Sequence, residues 1–214
     1  MSDQSSTTPP VDPKRTPGQG LSKEQAMQRI LEGHWRYLAN NKQKRVVTEE
    51  DRALHAQGQF PFAAILGCAD SRVSPELIFD QGQGDLFVVR VAGNILGTGE
   101  LASLEYAVQQ LGVRLVVVLG HESCGAVAAT TNAGDGPGAI GFLLREIAPA
   151  VADARNQTGN LLDNAVKANV KRVVDATALR SEYFNRMISD GQLRVVGAVY
   201  RLGSGDVDVV HKIG

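Results

Sequence analysis

Three short runs of this 214-residue chain, Phe62 to Leu66, Leu86 to Val91 and Leu115 to Leu119, are apolar, interrupted only by Arg90, and partly β-branched. Such runs read as strands buried on both faces of a sheet. Between the second and third, Leu101, Leu104, Val108 and Leu111 mark one face of a helix from Gly99 to Gly112. A strand, helix, strand unit implies parallel pairing through a right-handed crossover. The expected fold is therefore α/β: a single domain with a mostly parallel central sheet flanked by helices.

The rest of the chain fits around that unit. Ser22 and Gln25 have the spacing of a capping box, and Met27, Ile30, Leu31, Trp35 and Leu38 follow at helical intervals to about Asn40. Thr48 is placed to cap a short helix to about Gln57, and Ser123 to Thr131, Ile140 to Val151 and Leu161 to Leu179 are further helical segments. The last of these carries Leu162, Val166, Val170, Val173 and Val174 as its apolar stripe. Gly203, Ser204 and Gly205 separate two late strands, Leu193 to Leu202 and Val207 to Val210, which predicts a C-terminal antiparallel hairpin at the sheet edge. The opening segment holds half of the prolines and, before residue 21, only Met1 and Val11 as ordinary apolar side chains. Residues 1–21 read as a disordered N-terminal tail and 22–214 as the functional domain.

Composition narrows the class of partner. Hydrophobic residues make up 43% and charged ones 21%, the balance of a soluble globular domain, and the longest apolar runs fall far short of a membrane span. Twenty-two basic and 23 acidic side chains leave a net charge of −1, so no field favours nucleic acid or anionic lipid. The expected partner is a small molecule, with no nucleic acid and no membrane. No leader pattern opens the sequence, which gives a cytoplasmic expectation, or a periplasmic one if a leader has been removed.

The chemistry concentrates where two strands end. Ile65-Leu66-Gly67 runs into Cys68, and Val118-Leu119-Gly120 runs into His121, with Cys124 three residues on at the opening of a helix. In parallel sheets the carboxyl ends of strands share one edge, where ligand sites form. Cys68, His121 and Cys124 can meet there, and two thiolates with one imidazole suit Zn²⁺ with its fourth position open. A cysteine at a strand end is also commonly a small buried hydrophobe, and spacing alone leaves both readings open. Asp70 and Arg72, one residue apart beyond the first strand, can form a two-pronged pair beside the metal. In that arrangement the carboxylate aims a hydroxide and Arg72 holds the carboxylate.

These residues have a family likeness. Cys68-Ala69-Asp70-Ser71-Arg72 followed by His121-Glu122-Ser123-Cys124-Gly125 resembles the β-class carbonic anhydrases, with their CxDxR and HxxC signatures. Glu32 to Tyr37, Pro75 to Asp80, Gly84 to Asn94 and Ser103 to Val108 are similar to the same family. The resemblance implies metal ligands Cys68, His121 and Cys124, with Asp70 and Arg72 as the catalytic dyad. It matches Gln59 to a substrate-side glutamine, and Phe87 and Tyr106 to aromatics of an apolar pocket that reach the site from a neighbouring subunit. A homodimer or tetramer is the corresponding expectation. Ile65 and Asp175 stand where one subgroup has a Trp and a Tyr of an extra bicarbonate site, so the resemblance implies that this site is lacking.

The implied reaction is that of a lyase, the zinc-dependent reversible hydration of carbon dioxide to bicarbonate and a proton by a metal-bound hydroxide. Ala92 joins the apolar wall, and the Gly125 N–H adds a donor at the helix start. Two thiolates offset the charge of the ion, so its water should be less acidic than the value of about 7 reached with three histidines, and activity should rise toward alkaline pH. His34, His55 and His211 are candidate proton shuttles, each read first as an ordinary surface or helix-face histidine. Alternatives use the same site differently: hydrolysis of carbon disulfide or carbonyl sulfide, or a non-catalytic zinc-binding structural module closed by Asp70. Cysteines 56 positions apart speak against a thiol redox motif, and the glycines from Gly134 to Gly141, without a GK[ST] ending, read as a connector.

Overall fold

A computed structural model describes residues 20–43, 45–132 and 136–214; the tail expected over 1–21 falls almost wholly outside them. Order begins as the capping box requires. The Ser22 hydroxyl accepts the Gln25 N–H at 3.2 Å and the Gln25 amide oxygen accepts the Ser22 N–H at 2.9 Å, opening α1 (Lys23–Leu38). Thr48 and Asp51 repeat the device for α2 (Glu49–His55).

The three apolar runs become β1 (Ala63–Gly67), β2 (Leu86–Arg90) and β3 (Leu115–His121), joined by β4 (Arg194–Tyr200) and β5 (Val207–Ile213) in the order β2-β1-β3-β4-β5. The first three pairings are parallel, and β4 with β5 forms the antiparallel edge hairpin. Every residue of β1 and β3 is buried, which is why those runs lack polar alternation. Gly67 of β1 lies opposite Leu119 of β3, so Cys68 and His121 emerge at neighbouring levels of one sheet edge.

Helices cover the sheet: α3 (Pro75–Ile78), α4 (Thr98–Gln109), α5 (Gly125–Asn132), α6 (Ile140–Ala154), α7 (Leu161–Arg180) and α8 (Glu182–Ser189). Two of them, α3 and α8, are additions to what the sequence pattern led us to expect. Ser181, at φ −130, separates α7 from α8, and its hydroxyl caps the Phe184 N–H. Helix α5 begins at Gly125, not Ser123, because Ser123 takes a left-handed φ of 53. Of the connector expected from Gly134 to Gly141, residues 136–139 lead directly into α6, while 134 and 135 lie outside the described residues.

Helix α7 packs unusually close to the sheet. A methyl group at Gly120 would sit 2.5 Å from Val170 Cγ2, and one at Gly197 would sit 2.7 Å from Val170 Cγ1. These two glycines form a notch beneath the helix, immediately behind His121. Among the described residues no helix is long and apolar enough to cross a membrane.

Candidate active site

Cys68 leaves the end of β1, His121 is the last residue of β3, and Cys124 immediately precedes α5. Their donor atoms lie within 4.8 Å of one another, and all three residues are buried. The left-handed Ser123 folds the chain back so that Cys124 returns beside His121, and Glu122 fastens this turn to β4. Its N–H donates to Tyr200 O at 2.8 Å, and its carboxylate accepts the Leu202 N–H at 3.0 Å.

The donor set fits a tetrahedral divalent ion. The two sulfurs are 4.0 Å apart. Zinc–sulfur bonds of about 2.3 Å at a tetrahedral angle would put them roughly 3.8 Å apart. His121 Nδ1 donates to Glu122 O at 2.9 Å, which leaves Nε2 with a free lone pair. That Nε2 is buried and has no hydrogen-bond partner among the described residues, an expensive state for a nitrogen unless something ligates it.

Charge within the group is tightly coupled. Cys124 hydrogen-bonds Cys68 and pulls its thiol well below the usual range, aided by the backbone N–H groups of Asp70 and Gly93 at 3.4 and 3.3 Å. Cys68 in turn pushes the Cys124 thiol up, since two thiolates this close repel. Burial works against protonation of His121, but Cys68 and Asp70 outweigh it and raise its pKa.

Beside these three side chains, Arg72 holds Asp70 from two sides: Nε to Oδ1 at 2.9 Å and Nη2 to Oδ2 at 2.7 Å, with the Arg72 backbone N–H adding a bond to Oδ1 at 3.0 Å. This side-chain pairing keeps the Asp70 carboxyl well below the usual carboxylate range. Asp70 Oδ2 is 3.8 Å from His121 Nε2, so the carboxylate borders the ligand cluster directly.

The residues expected to line a pocket divide into two groups. Ala92, in the 3-10 turn Ala92–Asn94, and Gly125 are chain neighbours of groups that touch the cluster. Phe87 and Tyr106 contact each other, with rings 6.1 Å apart, and Tyr106 is 48% exposed. Phe87 pairs with Ala64, four residues before Cys68, which places it about 13 Å back along the strand direction at 3.3 Å per residue. Gln59 precedes the opposite end of β1 and is exposed. Within one protomer these three residues do not reach the cluster.

Three contributors lie outside the motifs. Arg90, at the end of β2, donates to Cys68 O at 2.9 Å and to Asp70 O at 2.6 Å, bracketing the ligand and the carboxylate. Gly93 supplies an N–H to the Cys68 sulfur, and Asn169 of α7 holds the Gly93 carbonyl at 2.8 Å. A basic residue closing an apolar strand, and an amide inside an apolar stripe, were the sequence signals for Arg90 and Asn169. Of the candidate shuttles, His34 bonds Ile78 O at 3.1 Å and His211 pairs with Asp175 at 2.6 Å.

A sequence model of the carbonic anhydrase family matches residues 63–207. The chain is 40% identical over 193 residues to carbonic anhydrase 2 of Mycobacterium tuberculosis, covering 88% of this chain and 93% of that protein. Among solved structures it is similar to the Coccomyxa β-carbonic anhydrase in complex with acetazolamide (TM-score 0.67, 26% identity, 87% of this chain and 82% of that one). It is also similar to a structure from work on two tetrameric β-carbonic anhydrases of Sordaria macrospora (TM-score 0.65, 26% identity, 72% of this chain and 83% of that one).

Proposed function

Because the chain belongs to the β-class carbonic anhydrases, enzymes that hydrate carbon dioxide, we propose that Cys68, His121 and Cys124 hold one zinc ion and that Asp70 and Arg72 serve the reaction beside it. The single observation that carries this reading is the buried, partnerless His121 Nε2 facing two cysteine sulfurs and an aspartate fixed by an arginine. Zinc there would supply Lewis acidity at the position that three ligands leave open, lowering the pKa of water.

The chain's own groups do the rest. Asp70, held ionised by Arg72, is purely an acceptor. It takes a hydrogen bond from the O–H of the nucleophile and so turns the oxygen lone pair toward the substrate carbon. Arg72 prevents the carboxylate from drifting, and Arg90 fixes the backbone on both sides of Ala69. Carbon dioxide carries no charge and no donor, so it needs an apolar wall, which Ala92 begins on this protomer. Charge appears on its oxygen as bicarbonate forms, and the N–H of Gly125 at the start of α5 is available to that oxygen.

Gln59, Phe87 and Tyr106 complete the wall from a second subunit in this proposal. It is supported by their position at the far end of β1 and β2 within one chain, and by the tetrameric description of the Sordaria enzymes. The functional unit is then at least a dimer.

The test is stopped-flow carbon dioxide hydration by zinc-loaded protein across a pH range, with hydrogen sulfide release from carbon disulfide measured alongside. Hydration that rises toward alkaline pH, without sulfide release, is expected. Sulfide release without hydration would move the chain to the other linear substrates, and zinc without either activity would make the site structural.

A further inference from the structure

Helix α7 buries seven side chains, and two of them, Asn169 and Thr177, are polar. Thr177 satisfies its hydroxyl within its own helix, on Val174 O at 2.7 Å. Asn169, only 2% exposed, reaches 76 residues away in sequence: its Nδ2 donates to the carbonyl of Gly93 at 2.8 Å. An amide set among Ala165, Val166, Val170 and Val173 costs free energy that a leucine in the same place would not. The bond it makes therefore calls for a reason beyond packing.

Gly93 supplies one. Its φ is 71, and its N–H points at Cys68 Sγ from 3.3 Å. The N–H and C=O of Gly93 belong to adjacent peptide units, and a glycine is the residue least able to hold its own φ and ψ. Pinning the carbonyl from α7 therefore fixes the direction of the N–H. Contact from the other side is equally close, since a methyl group here would lie 2.7 Å from Ile147 Cδ1 of α6. The notch at Gly120 and Gly197 lets α7 approach near enough for the amide to reach.

We propose that Asn169 is a positioning residue of the metal centre: through the Gly93 carbonyl it holds the Gly93 N–H on the Cys68 sulfur and so fixes that sulfur in the orientation that ligates zinc. The proposal rests on the reading of Cys68, His121 and Cys124 as zinc ligands. A hydrogen bond to a ligating sulfur limits its rotation and stabilises its charge, as outer-shell partners of other ligands do.

The experiment follows zinc release from the full-length, zinc-loaded protein to a chromophoric chelator, together with the thiolate-to-cobalt absorption band of the cobalt(II)-substituted protein. Asn169→Leu is expected to release zinc roughly 10- to 100-fold faster and to shift the band, the range seen when outer-shell partners of metal ligands are lost. Thr177→Val, which removes the other buried polar group of α7 without touching Gly93, should do neither. Release from Asn169→Leu at the wild-type rate with an unchanged band overturns the proposal, as does an equal change in Thr177→Val, which would mean that α7 has merely loosened. Should Asn169→Leu fail to fold, Asn169→Ala removes the donor without adding a branched side chain, with the same outcomes expected. The wild-type protein also decides: exchange of the Gly93 amide proton should be strongly protected, and rapid exchange there overturns the proposal. Zinc content is measured first, because wild-type protein that binds no zinc defeats the ligand reading itself, and this proposal with it.

Discussion

Arg72 grips Asp70 by both carboxylate oxygens, at 2.9 and 2.7 Å, while one of those oxygens lies 3.8 Å from the imidazole nitrogen of His121. One side chain is thus shared between an arginine that keeps it ionised and a cluster that gives it something to orient. Asp70→Asn retains the size but loses the charge and one acceptor. It is expected to lower the hydration turnover number by about 10²- to 10⁴-fold, the usual weight of a proton-handling group, with zinc still bound at wild-type stoichiometry. Full activity in that variant would remove Asp70 from the mechanism.

Zinc removal should be felt as lost stability as well as lost activity. The three proposed ligands come from the ends of β1 and β3 and the start of α5, so an ion bound only by the folded chain would stabilise it by mass action. Dialysis against a strong chelator should lower Tm, and zinc should restore it. Cys124→Ser should show the low Tm from the outset and gain little from added zinc.

The notch under α7 gives a packing prediction away from the chemistry. Gly120→Ala would bring a methyl group to 2.5 Å from Val170 Cγ2, in a layer where the strand and helix are both fixed. Overpacking of this kind costs about 1–3 kcal/mol, read as a lower urea midpoint. Because Gly120 precedes His121, zinc affinity should fall with it.

A pair of tyrosines sets an alkaline limit. Burial, and the 2.7 Å bond between its hydroxyl and that of Tyr37, push the Tyr200 phenol from 10.0 up to about 12. The folded value exceeds the unfolded one, so the stabilising contribution is complete below pH 10 and is lost as pH rises through 12. Tyr200→Phe should flatten that part of the stability profile, and the tyrosinate absorbance of the wild type should show one phenol titrating late.

Much of this architecture was readable in the sequence because its signals are local. The runs that became β1 and β3 are buried on both faces, and continuous apolarity reports that state directly. Ser22 with Gln25 marked the start of α1 because a capping box is satisfied within four residues. Cys68, His121 and Cys124 could be brought together since parallel strands must end on one edge. The residues that were overlooked act across distance. Asn169 bonds a carbonyl 76 positions away, and nothing near it in sequence shows that Gly93 needs holding. Arg90 grips two backbone carbonyls, which have no sequence signature at all. Helix α8 is only eight residues long, too short for its apolar spacing to stand out beyond the expected end of α7 at Leu179. That Phe87 lies away from the cysteine cluster within one protomer follows only from register: it pairs with Ala64 and not with a residue at the Cys68 end.

The central claim is a zinc ion in a site of two sulfurs and one imidazole, and X-ray absorption at the zinc edge of the purified protein reads it most directly. The expected spectrum has two sulfur neighbours at about 2.3 Å and two light neighbours near 2.0–2.1 Å, one of them imidazole. Four sulfur neighbours, a shell of light atoms alone, or protein that carries no zinc would contradict the account.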